Sequence, residues 1–216
     1  MTQALPLRAA DVATAHDRLL ASPGWPQREP EAAAGELWRW LQANHRNNSL
    51  LWAEEDLARR TTVGDAQIAA NKRAIDGYNQ ARNDATERVD ELLLLALGVV
   101  DETSARSDAA LAPAPDGARL NSETAGSMID RLSIMSLKLT AMQAQTLRSD
   151  VHEAHRAASR VKLARLQQQR GDLAGCLDVL LAETAVGKAF FKVYRQFKMY
   201  NDPQLNPQLV KERQKL

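Results

Sequence analysis

A seven-residue spacing of apolar side chains, broken by one arginine, constrains this chain more than any other feature. Ile68, Ile75 and Val89 follow this spacing, and Arg82 takes the remaining position, where leucine or isoleucine is expected. The pattern predicts a long amphipathic helix over residues 65–97, roughly 50 Å long at 1.5 Å per residue. An arginine on the inward stripe needs a carboxylate partner, because an unpaired buried charge is costly. The helix therefore predicts a polar contact inside the fold.

A row of polar side chains runs beside this stripe at steps of three or four residues, which places them on one helix face. Three members, Asp76, Asn79 and Asn83, are poor helix formers in mid-helix. We expect a hydrogen-bond network with the preceding helix to compensate them. The row consists of Lys72, Asp76, Asn79, Asn83, Glu87 and Asp90, and its expected partners on the preceding helix are Trp52, Glu55, Asp56 and Arg59.

The rest of the chain reads as helices joined by short breaks. Helices are predicted at about residues 6–20, 30–62, 65–97, from 125 onward, 149–169 and 173–200. The A-P-A-P-D-G run and the absence of periodicity predict a flexible loop at 99–120. No strand-like alternation is evident. We predict an all-α fold, a helical bundle of about five to six helices with long antiparallel central helices, in a single helical domain of residues 1–216.

Charge is divided unevenly along the chain, although the net charge is only +1. Residues 1–130 carry 13 Lys and Arg against 20 Asp and Glu, and residues 131–216 carry 15 against 7. We expect the two halves to dock on each other rather than to keep a basic face for an anionic partner. Nucleic acid is therefore not an expected partner.

The single cysteine, Cys176, allows no internal disulfide and suits a reducing compartment. The start of the chain lacks the basic-then-apolar order of a signal peptide. No apolar run approaches the ~20 residues needed to span a bilayer. We predict a cytoplasmic protein with no membrane span.

Four blocks of the sequence resemble a known family: LWAEEDLARR, IAANKRAIDGYNQARND, LNSETAGSMIDRLSIMSLKL and YRQFKMYNDPQLNPQL. They are similar, in this order, to the bacterial domain-of-unknown-function family numbered four-two-five-four. The resemblance covers the chain from about Leu37 onward, and one departure is Ala125, where the family's E-T-P-G form has proline. It implies a helical, cytoplasmic protein whose relatives are often encoded near glycosyltransferase or cell-surface polysaccharide genes. The residues that match the family's pattern, and form our candidate site, are Trp52, Glu55, Asp56, Arg59, Lys72, Arg73, Asp76, Asn79, Arg82, Asn83, Asp84, Asp130 and Arg131.

Two functions follow from this resemblance and from the polar row. The first is a non-catalytic accessory or binding protein of cell-surface glycan pathways, with glycan-pathway proteins as partners and no cofactor. The alternative is a metal-dependent hydrolase or transferase acting on a nucleotide or nucleotide sugar. In that case Mg²⁺ would be held by Glu55, Asp56, Glu87 and Asp90, and phosphate would be contacted by Lys72, Arg73 and Arg82.

The acidic residues fit this alternative only in part. Glu87 and Asp90 have the E-x-x-D spacing of helical pyrophosphohydrolases, whereas the consecutive Glu54, Glu55 and Asp56 point in different directions on a helix. Other catalytic mechanisms have less support in the sequence. The sequence has no Gly-x-Ser-x-Gly motif, no phosphate-cradling glycine loop and no Glu-x-x-His pair of a di-iron bundle. The sequence alone leaves enzyme and binding protein both open.

Overall fold

The computed structural model describes residues 5–28, 35–106, 115–196, 199 and 202–214. These residues form an all-α bundle, as predicted, with seven helices and one pair of two-residue strands. The helices are α1 (Ala9–Leu20), α2 (Glu36–Leu57), α3 (Asp65–Ala96), α4 (Glu102–Arg106), α5 (Ala125–Thr146), α6 (Glu153–Ala185) and α7 (Pro207–Arg213), and the strands are β1 (Arg119–Leu120) and β2 (Ala189–Phe190). None of these helices is long and apolar enough to cross a membrane.

The two central helices, α2 and α3, pack along each other in opposite directions. Asn44, in the first half of α2, donates to Oγ1 of Thr86, in the second half of α3, over 3.0 Å. Asn71, near the start of α3, donates to Oε2 of Glu54, near the end of α2, over 2.6 Å. This crossed pattern requires an antiparallel pair, so the prediction of long antiparallel central helices is confirmed.

The bounds of α3 agree with the sequence prediction to within one residue, because a local feature of the chain, a glycine, ends the helix. Gly98 has a φ of 68°, a left-handed conformation that favours glycine. The backbone N–H of Val99 donates to the carbonyl of Leu94 over 3.0 Å, as in a Schellman motif. α2, by contrast, ends at Leu57, before the predicted end near Thr62. Its predicted start near residue 30 lies outside the described residues.

α5 lies against both central helices and begins at a side-chain cap. Oγ1 of Thr124 accepts a hydrogen bond from the backbone N–H of Ser127 over 3.1 Å, which satisfies one of the free donors of the first turn. Ala125 is the first helical residue, a position that would suit the proline expected from the resemblance. The contacts of α5 run from Gly126 against Asp90 to more distal residues against the earlier turns of α3, so these two helices are also antiparallel.

α6 is one continuous helix of 33 residues, and the predicted break at Gly171-Asp172 is wrong. A Cβ placed on Gly171 would meet no neighbouring atom within 4 Å, so this glycine is only an open position on a continuing helix. The helix ends at the next glycine with a positive φ, Gly187 (φ 71°). There the N–H of Lys188 donates to the carbonyl of Glu183 over 2.8 Å, in a second Schellman motif.

The aromatic segment after Gly187, predicted to continue as helix to about residue 200, instead forms β2 and then residues 191–196, which have no regular secondary structure. β2 pairs in parallel with β1: the N–H of Asn121 donates to the carbonyl of Phe190 over 2.8 Å. Phe191 is fully buried in the core. Pairing with a distant segment and burial of this ring therefore override the local helical pattern.

The segment 99–120, predicted as a flexible loop, contains α4 and β1. Ala105 in α4 is 1% exposed, so this part of the segment is packed on the bundle. Residues 107–114 lie outside the described residues. The main apolar core gathers residues from α1, α2, α3, α5, α6 and β2.

The two oppositely charged halves of the chain are joined by ion pairs, as expected. Arg170 on α6 lies 2.7 Å from Oδ1 of Asp17 on α1. Arg195, in the irregular segment 191–196, lies 2.6 Å from Oε1 of Glu91 and 3.1 Å from Oε2 of Glu87. The basic C-terminal half is thus partly neutralised by the acidic N-terminal half.

Candidate functional site

A cleft of about 410 Å³ opens between α2, α3 and α5. Its volume lies within the range of about 300–1,000 Å³ that is usual for small-ligand pockets. Six of its lining residues belong to the candidate site predicted from the sequence, and the remaining five are mostly apolar. The predicted residues are Trp52, Glu55, Asp56, Arg59, Asn79 and Arg82, and the others are Asn48, Leu51, Ile75, Ile134 and Leu137.

Arg82 is only 25% exposed, as its position on the inward stripe predicts. Its Nη2 and Nε donate to Oδ1 of Asn83 over 2.9 Å and 3.3 Å. Its Nε also lies 3.9 Å from Oδ1 of Asp130 on α5. The carboxylate that the sequence requires for Arg82 is therefore supplied by α5, not by α2.

Asp130 is the centre of the polar network, because it joins three helices. Its Oδ1 accepts hydrogen bonds from Nδ2 of Asn44 and from Nδ2 of Asn48, both over 2.8 Å. Both asparagines lie on α2 and are buried, whereas the approach of Arg82 comes from α3. A carboxylate that is 16% exposed is stabilised here by two amide donors and a nearby cation.

Behind Asp130 the network continues into a buried histidine pair. Oγ of Ser133 accepts from Nδ2 of Asn48 over 3.0 Å and lies 2.7 Å from Nδ1 of His45. The rings of His45 and His16 stack with centroids 4.3 Å apart, and the ring of Trp25 also stacks on His45, with centroids 5.4 Å apart. Histidine at this depth packs as a neutral aromatic ring.

Burial is the main cause of the unusual acidity of both imidazoles. It lowers the pKa of His45 to about 4. It also holds the pKa of His16 well below its ordinary value, with further lowering from the neighbouring His45 and Arg170. Both rings are therefore uncharged at neutral pH, and His45 can accept a hydrogen bond from the Ser133 hydroxyl.

The rim of the cleft is formed by an ion pair at the end of α2, between Glu55 in the last turn of the helix and Arg59 just beyond it. Nη1 of Arg59 lies 2.6 Å from Oε2 of Glu55, and the two side chains are separated by one helical turn. Asp56 follows directly and is exposed at the same end of α2. The rim is thus charged but locally balanced, and the polar floor lies deeper at Arg82.

The other predicted site residues do not line the cleft. Lys72 and Asp76 form an exposed i,i+4 ion pair at 2.5 Å, and Asp84 accepts from Gln80 at the surface. Arg73 is exposed. Of the polar row, Asn79 lines the cleft, whereas Lys72 and Asp76 do not.

Asn83 and Arg131 also point elsewhere. Asn83 is buried, and its Nδ2 donates to Oε1 of Gln196 over 2.7 Å. Arg131 is exposed and lies 2.5 Å from Oε1 of Glu123. The second block of the candidate site thus contributes Asp130 to the network and leaves Arg131 at the surface.

Three of the four carboxylates of the metal hypothesis are held by separate partners. Glu55 pairs with Arg59 at the rim, whereas Glu87 is held by Arg195. Asp90 is buried, and its Oδ1 accepts from the backbone N–H of Gly126 over 2.6 Å. Within the described ranges, no group of three or more His, Cys, Asp or Glu side chains could hold a metal ion.

Burial raises the pKa of Asp90 to about 7. Hydrogen bonds from Thr124 and Gly126 act in the opposite direction, and the nearby carboxylates of Glu87 and Glu91 raise the pKa further. The start of α5, where the helix dipole favours negative charge, acts in the same direction as these two hydrogen bonds and favours an ionised Asp90. This carboxyl joins α3 to α5 and does not face the cleft lining.

Several residues of the network were not found from the sequence. Asn44, His45 and Asn48 are buried polar residues on the inward face of α2, and Ser133 and Gln196 complete their contacts. The signal was present in α2, because polar residues at steps of three and four lie among the apolar Leu41 and the cleft residue Trp52. Gln196 carries no such signal, because its contact depends on how the chain returns after β2.

Residues 38–193 match a protein family described as "Protein of unknown function (DUF4254)". The matched range includes α2 from Trp38 onward and all of α3, α5 and α6, and therefore the residues that line the cleft. No curated protein and no solved structure matches the chain.

Proposed function

This chain belongs to the DUF4254 family of proteins of unknown function, and we propose that it is a non-catalytic accessory or binding protein that takes a small, uncharged, polyhydroxylated ligand in the cleft between α2, α3 and α5. We place it in the cytoplasm of a bacterium, in a cell-surface glycan pathway and with partners among the proteins of that pathway. This setting is supported by the resemblance of the sequence, and the class of ligand is supported by the cleft.

The charge balance of the cleft is the observation that carries the proposal. Its ionisable lining consists of two carboxylates, Glu55 and Asp56, and two guanidinium groups, those of Arg59 and Arg82. Glu55 and Arg59 already neutralise each other. A cleft built for a di- or triphosphate needs an excess of positive charge, because each phosphate must be neutralised on leaving water. A balanced lining favours an uncharged ligand.

The walls of the cleft combine flat apolar surface with polar groups that recognise hydroxyls. Trp52, Ile75 and Leu137 supply apolar contact area. Asn79 and Arg82 supply donors, and the carboxylates supply acceptors. A sugar ring has two apolar faces and a rim of hydroxyl groups, so its surface matches both kinds of wall.

The alternative, a metal-dependent hydrolase or transferase acting on a nucleotide or nucleotide sugar, receives less support from this geometry. It needs Glu55, Asp56, Glu87 and Asp90 around one Mg²⁺ ion. Glu87 and Asp90 are instead directed to Arg195 and to the start of α5. The rim carboxylates alone remain available to the cleft.

Ligand binding can be tested by thermal shift and calorimetry on the full chain. The panel contains neutral hexoses and N-acetylhexosamines as methyl glycosides, nucleotide sugars, free nucleotides, and Mg²⁺ or Mn²⁺ alone. We expect a neutral sugar to raise the melting temperature, and we expect this shift to disappear in Trp52→Ala. Arg73→Ala, an exposed change outside the cleft, is the matched control and should keep it.

Two outcomes would contradict the proposal. If none of the sugars binds, the cleft is not a sugar site. If nucleotides bind only together with Mg²⁺ and this binding is lost in Asp56→Asn, the enzyme alternative is favoured over the binding protein.

A further inference from the structure

The chain after β2 returns to α3 and reaches Asn83, the residue next to Arg82. Its path is anchored first by backbone pairing, since the N–H of Arg119 donates to the carbonyl of Lys188 over 2.9 Å. It is anchored next by Phe191, which is 1% exposed in the core. Residues 191–196, which we call the C-terminal segment, therefore leave the core at a defined place.

The C-terminal segment is held on α3 by charge. Nη1 of Arg195 lies 2.6 Å from Oε1 of Glu91 and 3.1 Å from Oε2 of Glu87. The other oxygen of Glu87, Oε1, accepts from the backbone N–H of Gln196 over 3.0 Å. All three charged side chains are at most about one-fifth exposed, so this contact is only weakly screened by solvent. It places the Gln196 side chain beside the middle of α3.

Gln196 determines which way the amide of Asn83 points. Oε1 of Gln196 accepts from Nδ2 of Asn83 over 2.7 Å, so the amino group of Asn83 faces the C-terminal segment. Its carbonyl oxygen must then face the other way, where it accepts from Nη2 of Arg82 over 2.9 Å. Asn83 is buried, and a reversed amide would bring two N–H donors against the guanidinium.

We propose that Gln196 is a positioning residue for the cleft, because it orients the Arg82 guanidinium through Asn83. The C-terminal segment thereby sets the direction of the main donor on the cleft floor without touching the ligand. The role of this donor in binding rests on the proposed function, whereas the orientation of Arg82 is a property of the protein without ligand.

The orientation can be measured without any ligand from the Nε–Hε signal of Arg82 in an ¹H–¹⁵N correlation spectrum, assigned by its loss in Arg82→Lys. In the native chain we expect a dispersed signal that exchanges slowly with water. Gln196→Ala should move it toward the position of exposed arginines. Gln196→Glu retains an acceptor oxygen for Asn83 and should restore the signal. Gln80→Ala, at a glutamine of α3 that donates to Asp84 and not to Asn83, should leave the signal unchanged.

The same variants separate positioning from a general structural role. Gln196→Ala should keep the melting temperature within a few degrees, because Arg195 and Phe191 still hold the segment. For a sugar that binds the native chain, we expect its Kd to rise about three- to tenfold and to recover in Gln196→Glu.

An unchanged Arg82 signal in Gln196→Ala would overturn the inference, and so would an unchanged Kd for a sugar that the native chain binds. If the signal behaves as expected but no sugar binds the native chain, the orientation of Arg82 by Gln196 stands and the proposed function fails.

Discussion

The backbone N–H of Gly126 donates to Oδ1 of Asp90 over 2.6 Å, and this hydrogen bond joins the first turn of α5 closely to α3. A Cβ atom on Gly126 would lie 2.6 Å from the carbonyl oxygen of Thr86 and 2.8 Å from Cγ of Asp90. Backbone and a buried carboxyl group surround this position, so no flexible side chain can move aside. The first turn of α5 can approach α3 only because residue 126 has no side chain.

Gly126→Ala is therefore expected to destabilise the fold by about 1–3 kcal/mol, the usual cost of overpacking a close contact. Gly171→Ala is the matched control, because its Cβ meets nothing within 4 Å and alanine is the better helix former by up to about 1 kcal/mol. Urea unfolding of both variants measures the difference. Equal stabilities would show that α5 can shift away from α3 at little cost.

Asp90→Asn is expected to stabilise the protein above neutral pH. The pKa of Asp90 is raised from 3.8 to about 7 in the fold, so between these values the folded protein binds a proton that the unfolded chain has released. The contribution of Asp90 to stability is therefore present at low pH and is lost as the pH rises through about 7. Asparagine keeps an acceptor for Gly126 and carries no charge to bury.

The measurement is the free energy of unfolding of Asp90→Asn and the native protein at pH 5 and pH 8. Their difference should grow in favour of the variant with pH, at up to about 1.4 kcal/mol per pH unit within the window. Asp84→Asn, at an exposed carboxylate, serves as the control. A difference that does not change with pH would mean that Asp90 is already ionised at pH 5.

The buried histidine pair predicts loss of stability on acidification. The pKa of His45 falls from 6.5 to about 4 in the fold, so between these values the unfolded chain binds a proton that the folded protein does not. The contribution of His45 is complete above about pH 6.5 and declines toward pH 4. His45→Gln should remove up to about 1.4 kcal/mol per pH unit of this slope.

The slope is obtained from denaturant unfolding at several values between pH 4.5 and pH 7. His152→Gln, which changes an exposed histidine outside the pair, should leave it unaltered. If His45→Gln and the native protein show parallel pH profiles, the imidazole is accessible to protons in the folded state.

Asp130→Ala should cost about 2–3 kcal/mol of stability, because two buried amides on α2 lose an acceptor. The loss is partly offset by their remaining contacts with Thr86 and Ser133. Asp130→Asn keeps one acceptor oxygen and should recover much of the stability. Asp84→Ala, at the surface, should stay within about 0.5 kcal/mol of the native stability. If Asp84→Ala loses as much stability as Asp130→Ala, Asp130 is not the centre of the network.

The parts of the fold that follow local signals were predictable from the sequence. The bounds of α3 follow from its apolar stripe and the glycine at its end, and Arg82 is directed inward as its stripe position requires. α6 was divided wrongly at Gly171 because a helical glycine in open space looks the same in sequence as one that ends a helix. Only φ distinguishes it from Gly187.

The site was predictable only where the residues that meet lie on facing turns of α2 and α3. Trp52, Glu55 and Asn79 do line one cleft. The carboxylate near Arg82 comes from Asp130, 48 positions further along the chain and on a third helix, and Gln196 approaches from beyond β2. Such contacts depend on how the helices assemble. The periodicity within one helix carries no information about that assembly.

The two halves of the continuous helix α6 are buried to different extents, and we therefore expect different dynamics in them. From Glu153 to Arg170 its only fully covered residue is Ser159, whereas Leu173, Leu177 and Leu181 are inserted in the core. Amide protons in the first half should therefore exchange with deuterium through local fraying, and those in the second half only when the whole protein opens. One continuous helix thus has a C-terminal half whose amides exchange slowly and an N-terminal half that opens locally, without unfolding of the rest.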